Sequence, residues 1–250
     1  MANPNIMAFR KYKHGHQMNS VLQQSTHEIS QTHQFMIDQT VIYVKEMLAH
    51  DQTGHDWWHI HRVWQTALYI AKKEKADLLV VQLAALLHDI ADWKFNDGDD
   101  KASAKVASEW LENIGLETVI IAHICDIINA VTFKGAGVQS QIKTIEGKAV
   151  QDADRLDALG AIGIARAFAY GGYKGMPMYD PALEPKFHAS FEEYKTHKGT
   201  TINHFYEKLL LLKELMNTST GKKLAEDRHQ FIENYLNQFL LEWNIIREDM

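Results

Sequence analysis

At 250 residues the chain is long enough for one domain with a full core, and 46% hydrophobic and 23% charged residues are ordinary for a soluble globular protein. A net charge of −6 leaves no basic footprint, so duplex nucleic acid is not an expected partner; a small anion stays possible, because a bound metal and a few Lys or Arg reverse the sign locally. The single cysteine, Cys125, excludes an intramolecular disulfide and a CxxC zinc site, and no apolar run or leader pattern suggests a membrane span, so a soluble, unprocessed, cytoplasmic protein is expected.

Residues 1–30 are rich in Gln, Ser, His and Asn without apolar periodicity, and read as a polar extension; His14, His16, His27 and His33 lack the acid or Cys cluster that metal chelation would need and read as solvated histidines. Phe35, Ile37, Val41, Val44 and Leu48 then mark an amphipathic helix, and His59, Val63, Ala67 and Ile70 mark the next. Asp77 is placed to cap a helix over Leu78 to Asp89. Helices over Ala102 to Asn113, stopped by Gly115, and over Val119 to Val131 follow, with Cys125 as a small core residue in the second. A glycine-rich loop at Lys134 to Gly137 leads to the longest core helix, expected from Gly147 to Phe168 and ended by a glycine-punctuated loop over Tyr170 to Pro177. Two helices close the chain, Thr201 to Met216, with Leu209 to Leu212 well buried, and Thr220 to Ile246. No strand alternation or hairpin signal appears, so the fold class is all-α: a core over 31–180 behind the extension 1–30, with the helices of 181–250 packed on it.

The chemistry gathers at three places. His88 and Asp89 stand together at the end of the apolar run Ala84 to Leu87. Buried Asp is rare unless paired or ligating, and a divalent cation accepts imidazole nitrogen and carboxylate oxygen together. The bland alternative is an Asp89 in water beside a core His88. Upstream, Gly54-His55-Asp56-Trp57-Trp58-His59-Ile60-His61-Arg62-Val63 carries three histidines; downstream, Gln151-Asp152-Ala153-Asp154-Arg155-Leu156-Asp157-Ala158-Leu159-Gly160 carries three acids. Residues on a helix step by about 100°, so adjacent His88 and Asp89 reach one ion, Asp92 follows one turn on, and His61 points away from His59. His55 and His59 at i and i+4 resemble a zinc-protease helix, but Asp56 is too short to replace its glutamate base, so that reading is set aside.

The order His, His-Asp, Asp on successive helices resembles the HD superfamily of metal-dependent phosphohydrolases over roughly residues 33–180. The resemblance implies a single helical HD-domain bundle with additional C-terminal helices, and a divalent metal held by His59 in H-x-x-R-V, by His88 and Asp89, and by Asp154 in A-D-R-L. Two imidazoles and two carboxylates suit Mn²⁺ first, then Fe²⁺, Co²⁺ or Zn²⁺, and Mg²⁺ less well. By the same resemblance Asp92 handles protons of the attacking water or the leaving group; its structural alternative is pairing with Lys94. Lys94 is a natural phosphate contact. Arg62, three residues from His59, reaches either phosphate or a supporting carboxylate such as Asp157; Arg155 anchors a loop, and Lys174 is a lid residue that can touch substrate.

The contexts G-H-D-W-W-H, L-L-H-D-I-x-D-W-K-F and D-A-D-R-L-D-A-L-G-A-I-G-I-A-R look most like a small bacterial HD subgroup similar to nucleoside triphosphate pyrophosphohydrolases. A small-molecule nucleotide is the substrate that this implies. Trp57, Trp58, Trp93 and Phe95 stand ready to stack on a base or to wall the core. Two other readings remain: a nucleoside 5′-monophosphate phosphatase using the same ligands, and a catalytically idle nucleotide sensor, against which the intact donor set argues.

Overall fold

A computed structural model describes residues 30–49, 56–91, 101–132, 138–187, 193 and 199–244. His55, Asp92, Trp93, Lys94, Phe95, the glycine-rich loop at 134–137 and the extension up to residue 29 lie outside the described residues. Among the described residues the regular elements are all helical. They are α1 (Gln31–Met47), α2 (Trp57–Glu74), α3 (Leu78–Leu87), α4 (Ala102–Asn113), α5 (Thr118–Val131), α6 (Ile145–Asp157), α7 (Gly160–Tyr173), α8 (Thr201–Glu207), a 3₁₀ turn at Leu209–Leu211, and α9 (Ser219–Asn244).

Side-chain caps set the helix starts. Asp56 accepts from the His59 amide, Asp77 from the amides of Leu79 and Val80, Thr144 from Gly147 and Thr200 from Asn203; each satisfies an amide that the first turn leaves without a helical partner. Helix α3 is apolar on every side and nine of its ten residues are buried, so it must run through the centre of the bundle. It packs against α1, α2, α5 and α6, while α2 lies along α6. Apolar burial of this kind, at about 1.5–3 kcal/mol for each large side chain, holds the bundle together. The long α9 packs on α7, α6 and α2.

Three helix boundaries differ from expectation, and each has a local cause. The helix expected from Gly147 to Phe168 is two, α6 and α7. Leu159 takes an extended backbone (φ −112°, ψ 161°) and Gly160 a left-handed one (φ +69°). Arg228 of α9 fills the corner: it packs against Gly160 and donates to the Leu156 carbonyl at 2.6 Å. Next, α7 runs on through Gly171 and Gly172 to Tyr173 where a loop was expected. A Cβ on Gly171 would meet Thr201 Oγ1 at 2.2 Å, so this glycine serves close approach of α8 and not a turn. Finally, the helix expected over Thr201 to Met216 shortens to α8 and a 3₁₀ turn, which leaves Leu209 and Leu212 buried but Leu210 and Leu211 only partly so.

Candidate metal centre

The Asp56 cap fixes the register of α2 so that His59, in its first turn, is completely buried and faces α6. There its Nδ1 lies 2.7 Å from Asp157 Oδ2. Asp157 is held well below the usual carboxylate range: burial opposes its charge, but hydrogen bonds from His59 and Arg62 and the nearby Arg166 outweigh that. An ionised carboxylate only accepts, so Nδ1 of His59 carries the proton and Nε2 presents its lone pair.

His88 reaches the same state by another route. It follows the last residue of α3, and its Nδ1 lies 2.9 Å from the Ala85 carbonyl, which also only accepts. The lone pair on His88 Nε2 therefore points the other way. That atom is buried without a hydrogen-bond partner, 3.6 Å from Asp89 Oδ2 and 3.8 Å from Asp154 Oδ1. His59 Nε2 looks into the same space, 3.5 Å from Asp89 Oδ2 and 3.6 Å from Asp154 Oδ1. The donor atoms of His59, His88 and Asp89 all lie within 4.8 Å of one another.

Two imidazole nitrogens and two carboxylate oxygens turned to one space crowd their lone pairs together, and a cation at their centre reverses the sign. Separations of 3.5–3.8 Å are close to the roughly 3.4 Å edge of a tetrahedron with bonds of about 2.1 Å. With no ion, a proton is the only cation available. Burial disfavours charge on His88, yet Asp89 and Asp154 override it and push the His88 pKa up to about 9. Asp154 in turn is held down at about 2: burial opposes this, but the hydrogen bond and charge of His88 and the charge of His59 prevail. The residues present fit a divalent metal.

The supporting groups centre on Asp157. Arg62 donates through Nε and Nη2 at 2.7 and 3.0 Å, the carboxylate role of its two sequence alternatives. Arg166 donates to Asp157 Oδ2 at 2.9 Å. Sequence reasoning missed Arg166 in this role, for a geometric reason. An unbroken helix would set it nine residues on, about 13.5 Å along the axis and on the opposite face; the break at Leu159 and Gly160 turns it back. Arg228, also missed, carries no sequence signal. Arg155 anchors a loop as expected, through Nη1 to the Leu215 carbonyl. His61 stands among Trp57, Trp58 and Trp64. Lys174 is not brought to the cluster by the contacts described: it caps the far end of α7, its ammonium 5.7 and 5.4 Å from the rings of Tyr170 and Tyr173.

The comparisons with known proteins agree with this geometry. Residues 57–159 match the model of the HD domain, from the start of α2 to the end of the α6 corner. The chain is 40% identical over 202 residues to YpgQ of Bacillus subtilis, covering 80% of this chain and 90% of that one. A Lactobacillus plantarum structure superposes with a TM-score of 0.77 at 38% identity, over 87% of this chain and all of that one. An HD-superfamily hydrolase from Bacillus thuringiensis is 44% identical, with a TM-score of 0.65 over 85% of this chain and 98% of its own. YpgQ has been solved in complex with ADP, and that structure gives a TM-score of 0.66 at 38% identity, over 83% of this chain and 95% of that one. With its acceptors converging as a metal requires and these relatives along most of its length, the chain belongs to the HD superfamily of metal-dependent phosphohydrolases.

Proposed function

We propose that the protein hydrolyses nucleoside triphosphates to the monophosphate and pyrophosphate. The observation that carries the metal-dependent chemistry is the convergence of the His59 and His88 Nε2 atoms on Asp89 and Asp154. The nucleotide assignment is supported by the subgroup resemblance and by the ADP complex of YpgQ. In this reading His59, His88, Asp89 and Asp154 hold the ion, with Mn²⁺ the best match to two imidazoles and two carboxylates. A divalent ion there supplies the Lewis acidity that makes water a nucleophile near neutral pH.

The protein side chains divide the remaining work. Asp157 keeps His59 in the tautomer that a metal needs, and Arg62 with Arg166 keeps Asp157 ionised. Asp92 moves the proton of the attacking water or the leaving group, and Lys94 balances phosphate charge. Arg62, a third exposed at its side chain, offers its remaining edge to phosphate.

A metal-supplemented screen over nucleotides tests this. Pyrophosphate and a monophosphate are the expected products. Inorganic phosphate from nucleoside monophosphates would favour the phosphatase reading, and binding without turnover the sensor reading. Asp92→Asn keeps the shape but not the ionisable group, so turnover with saturating Mn²⁺ should fall by roughly two to four powers of ten at unchanged metal content; an undiminished kcat would remove Asp92 from the mechanism. Lys94→Ala should instead raise KM as well as lower kcat.

A further inference from the structure

A cavity of about 960 Å³ opens beside α6, between the C-terminal end of α5, the 138–144 segment and the 214–217 segment. It lies at the upper end of the volumes that bind small molecules, roughly 300–1,000 Å³. Its position follows from helix register. Helices α5 and α6 run side by side in step, because Gly147 meets Ile127 and, one turn later, Gln151 Nε2 donates to the carbonyls of Ala130 and Val131. Helix α5 ends at Val131, while α6 continues for more than a turn. The part of α6 beyond that ending carries Asp154 and the buried Arg155. Gln151, Asp154, Arg155 and Ala158 are spaced i, i+3, i+4 and i+7, which is one stripe of a helix. Gln151 and Arg155 line the cavity, and Asp154 faces the metal centre. None of the four metal-centre residues is among the described lining residues; the register of α6 alone relates the two places, with Asp154 between Gln151 and Arg155 in the stripe.

The lining states what the cavity can hold. Its polar wall includes the amides Asn129, Gln141, Gln151 and Asn217; Gln151 and Asn217 are held by each other and by Ala130 and Asp152, while Asn129 and Gln141 are exposed. Its cations, Lys143 and Arg155, are matched by Asp126 and Glu214, so it carries no excess positive charge for a polyphosphate. Among the described lining residues there is no Phe, Tyr or Trp. The buried Arg155 Nε has no hydrogen-bond partner, and its Nη1 is already given to Leu215. A neutral group rich in donors and acceptors, read at its edges and not stacked, matches this wall.

We infer that the cavity receives the nucleoside part of the substrate, base and ribose, while the phosphates reach back along α6 to the metal centre. This rests on the nucleotide reading above and deepens it: specificity comes from α5 and the 138–144 segment, not from the tryptophans of α2. Trp57 is engaged by the Lys45 ammonium 4.7 Å from its ring centre, and Trp58 is mostly exposed.

Asn129 and Gln141 are exposed, so alanine at either leaves the core intact. Calorimetry on the full chain with Mn²⁺ compares four non-hydrolysable α,β-methylene nucleoside triphosphates with inorganic tripolyphosphate, which has no nucleoside. Asn129→Ala with Gln141→Ala should weaken nucleotide binding by about tenfold for each hydrogen-bonding side chain lost, leave tripolyphosphate binding unchanged and not move the unfolding midpoint. Equal nucleotide affinity in variant and wild type overturns the inference and leaves the proposed function standing. Equal loss for nucleotide and tripolyphosphate overturns it too, since the two amides would then act on phosphate. A wild-type protein that neither binds nor hydrolyses any nucleotide overturns the proposed function, and this inference with it.

Discussion

Asp152 and Asp154 stand two residues apart on α6 and meet opposite surroundings. Asp152 is completely buried and accepts four hydrogen bonds at 2.7–2.8 Å, from the amide and side chain of Asn217 and from the amide and hydroxyl of Thr218. A Cβ on Gly221 would strike its carboxylate at 2.3 Å, so the start of α9 is closed tightly around it. Asp154, by contrast, has a side chain 28% exposed and turns an oxygen towards two imidazole nitrogens that carry lone pairs. One carboxylate is saturated by donors; the other belongs to a set of groups whose chemistry suits a cation. The first joins α9 to the core, and the second is available for chemistry. Burial or acidity alone does not separate them; the sign of their partners does.

The largest effect should come from removing a ligand on the unsaturated side. His88→Ala or Asp89→Ala should abolish tight binding of about one divalent transition ion per chain, because too few strong donors remain. Elemental analysis showing full occupancy in both variants would overturn the site. Chelation of the wild type should lower the unfolding midpoint, since the ion binds only where α2, α3 and α6 are docked. A ligand at a thousand times its Kd contributes about 4 kcal/mol, or roughly 10 °C for a domain of this size. An unmoved melting curve would count against a site shared between helices.

The saturated side should respond in the reverse manner. Asp152→Ala strands the Thr218 amide and hydroxyl and the Asn217 amide, and should cost roughly 3 kcal/mol or more of stability, while metal content per folded molecule stays at the wild-type value. Loss of metal in a folded Asp152→Ala protein would erase the distinction between the two acids. Asp157 lies between these cases, since its partners are charged but it faces the metal centre only through His59. Asp157→Ala should weaken metal affinity by about 10–100-fold, the usual cost of losing an outer partner, with Asp157→Asn milder because one oxygen remains for Nδ1.

The difference between these acids was only half visible in the sequence. The motif named His59, His88, Asp89 and Asp154, and the structure brings those four together, because helical periodicity and local caps fix where each side chain points. It offered Asp157 as a partner for Arg62, which the structure bears out. What it could not show was Asp152, whose donors Asn217 and Thr218 are sixty-five and sixty-six residues away. Nor could it show Arg166, hidden by the Ala- and Gly-rich run that read as one helix across the corner at Gly160. Apolar periodicity continues through such a break, because a left-handed glycine changes direction without changing composition. The all-α class was legible throughout; helix ends set by distant contacts, as at Gly171 against Thr201, were not.

The smallest effect sharpens the comparison at its exposed limit. Glu74 accepts from Ser219 Oγ and from the Thr220 amide, both at 2.9 Å, and so holds the start of α9 from outside as Asp152 does from inside. The hydrogen bonds from Thr220 lower its pKa from the ordinary value, with burial opposing only weakly. A depressed carboxylate stabilises the fold above its unfolded pKa of about 4.3, and the contribution disappears as pH falls through the folded value. Because the site is open to solvent, screening keeps the effect to about 1 kcal/mol or less. Glu74→Gln should therefore lower the unfolding midpoint by about 2 °C or less at pH 7, and the gap to wild type should close under more acidic conditions. A gap of the same size at both pH values would mean that the shape of the side chain, not its charge, caps α9, and that the start of this helix depends on Asp152 alone for a carboxylate.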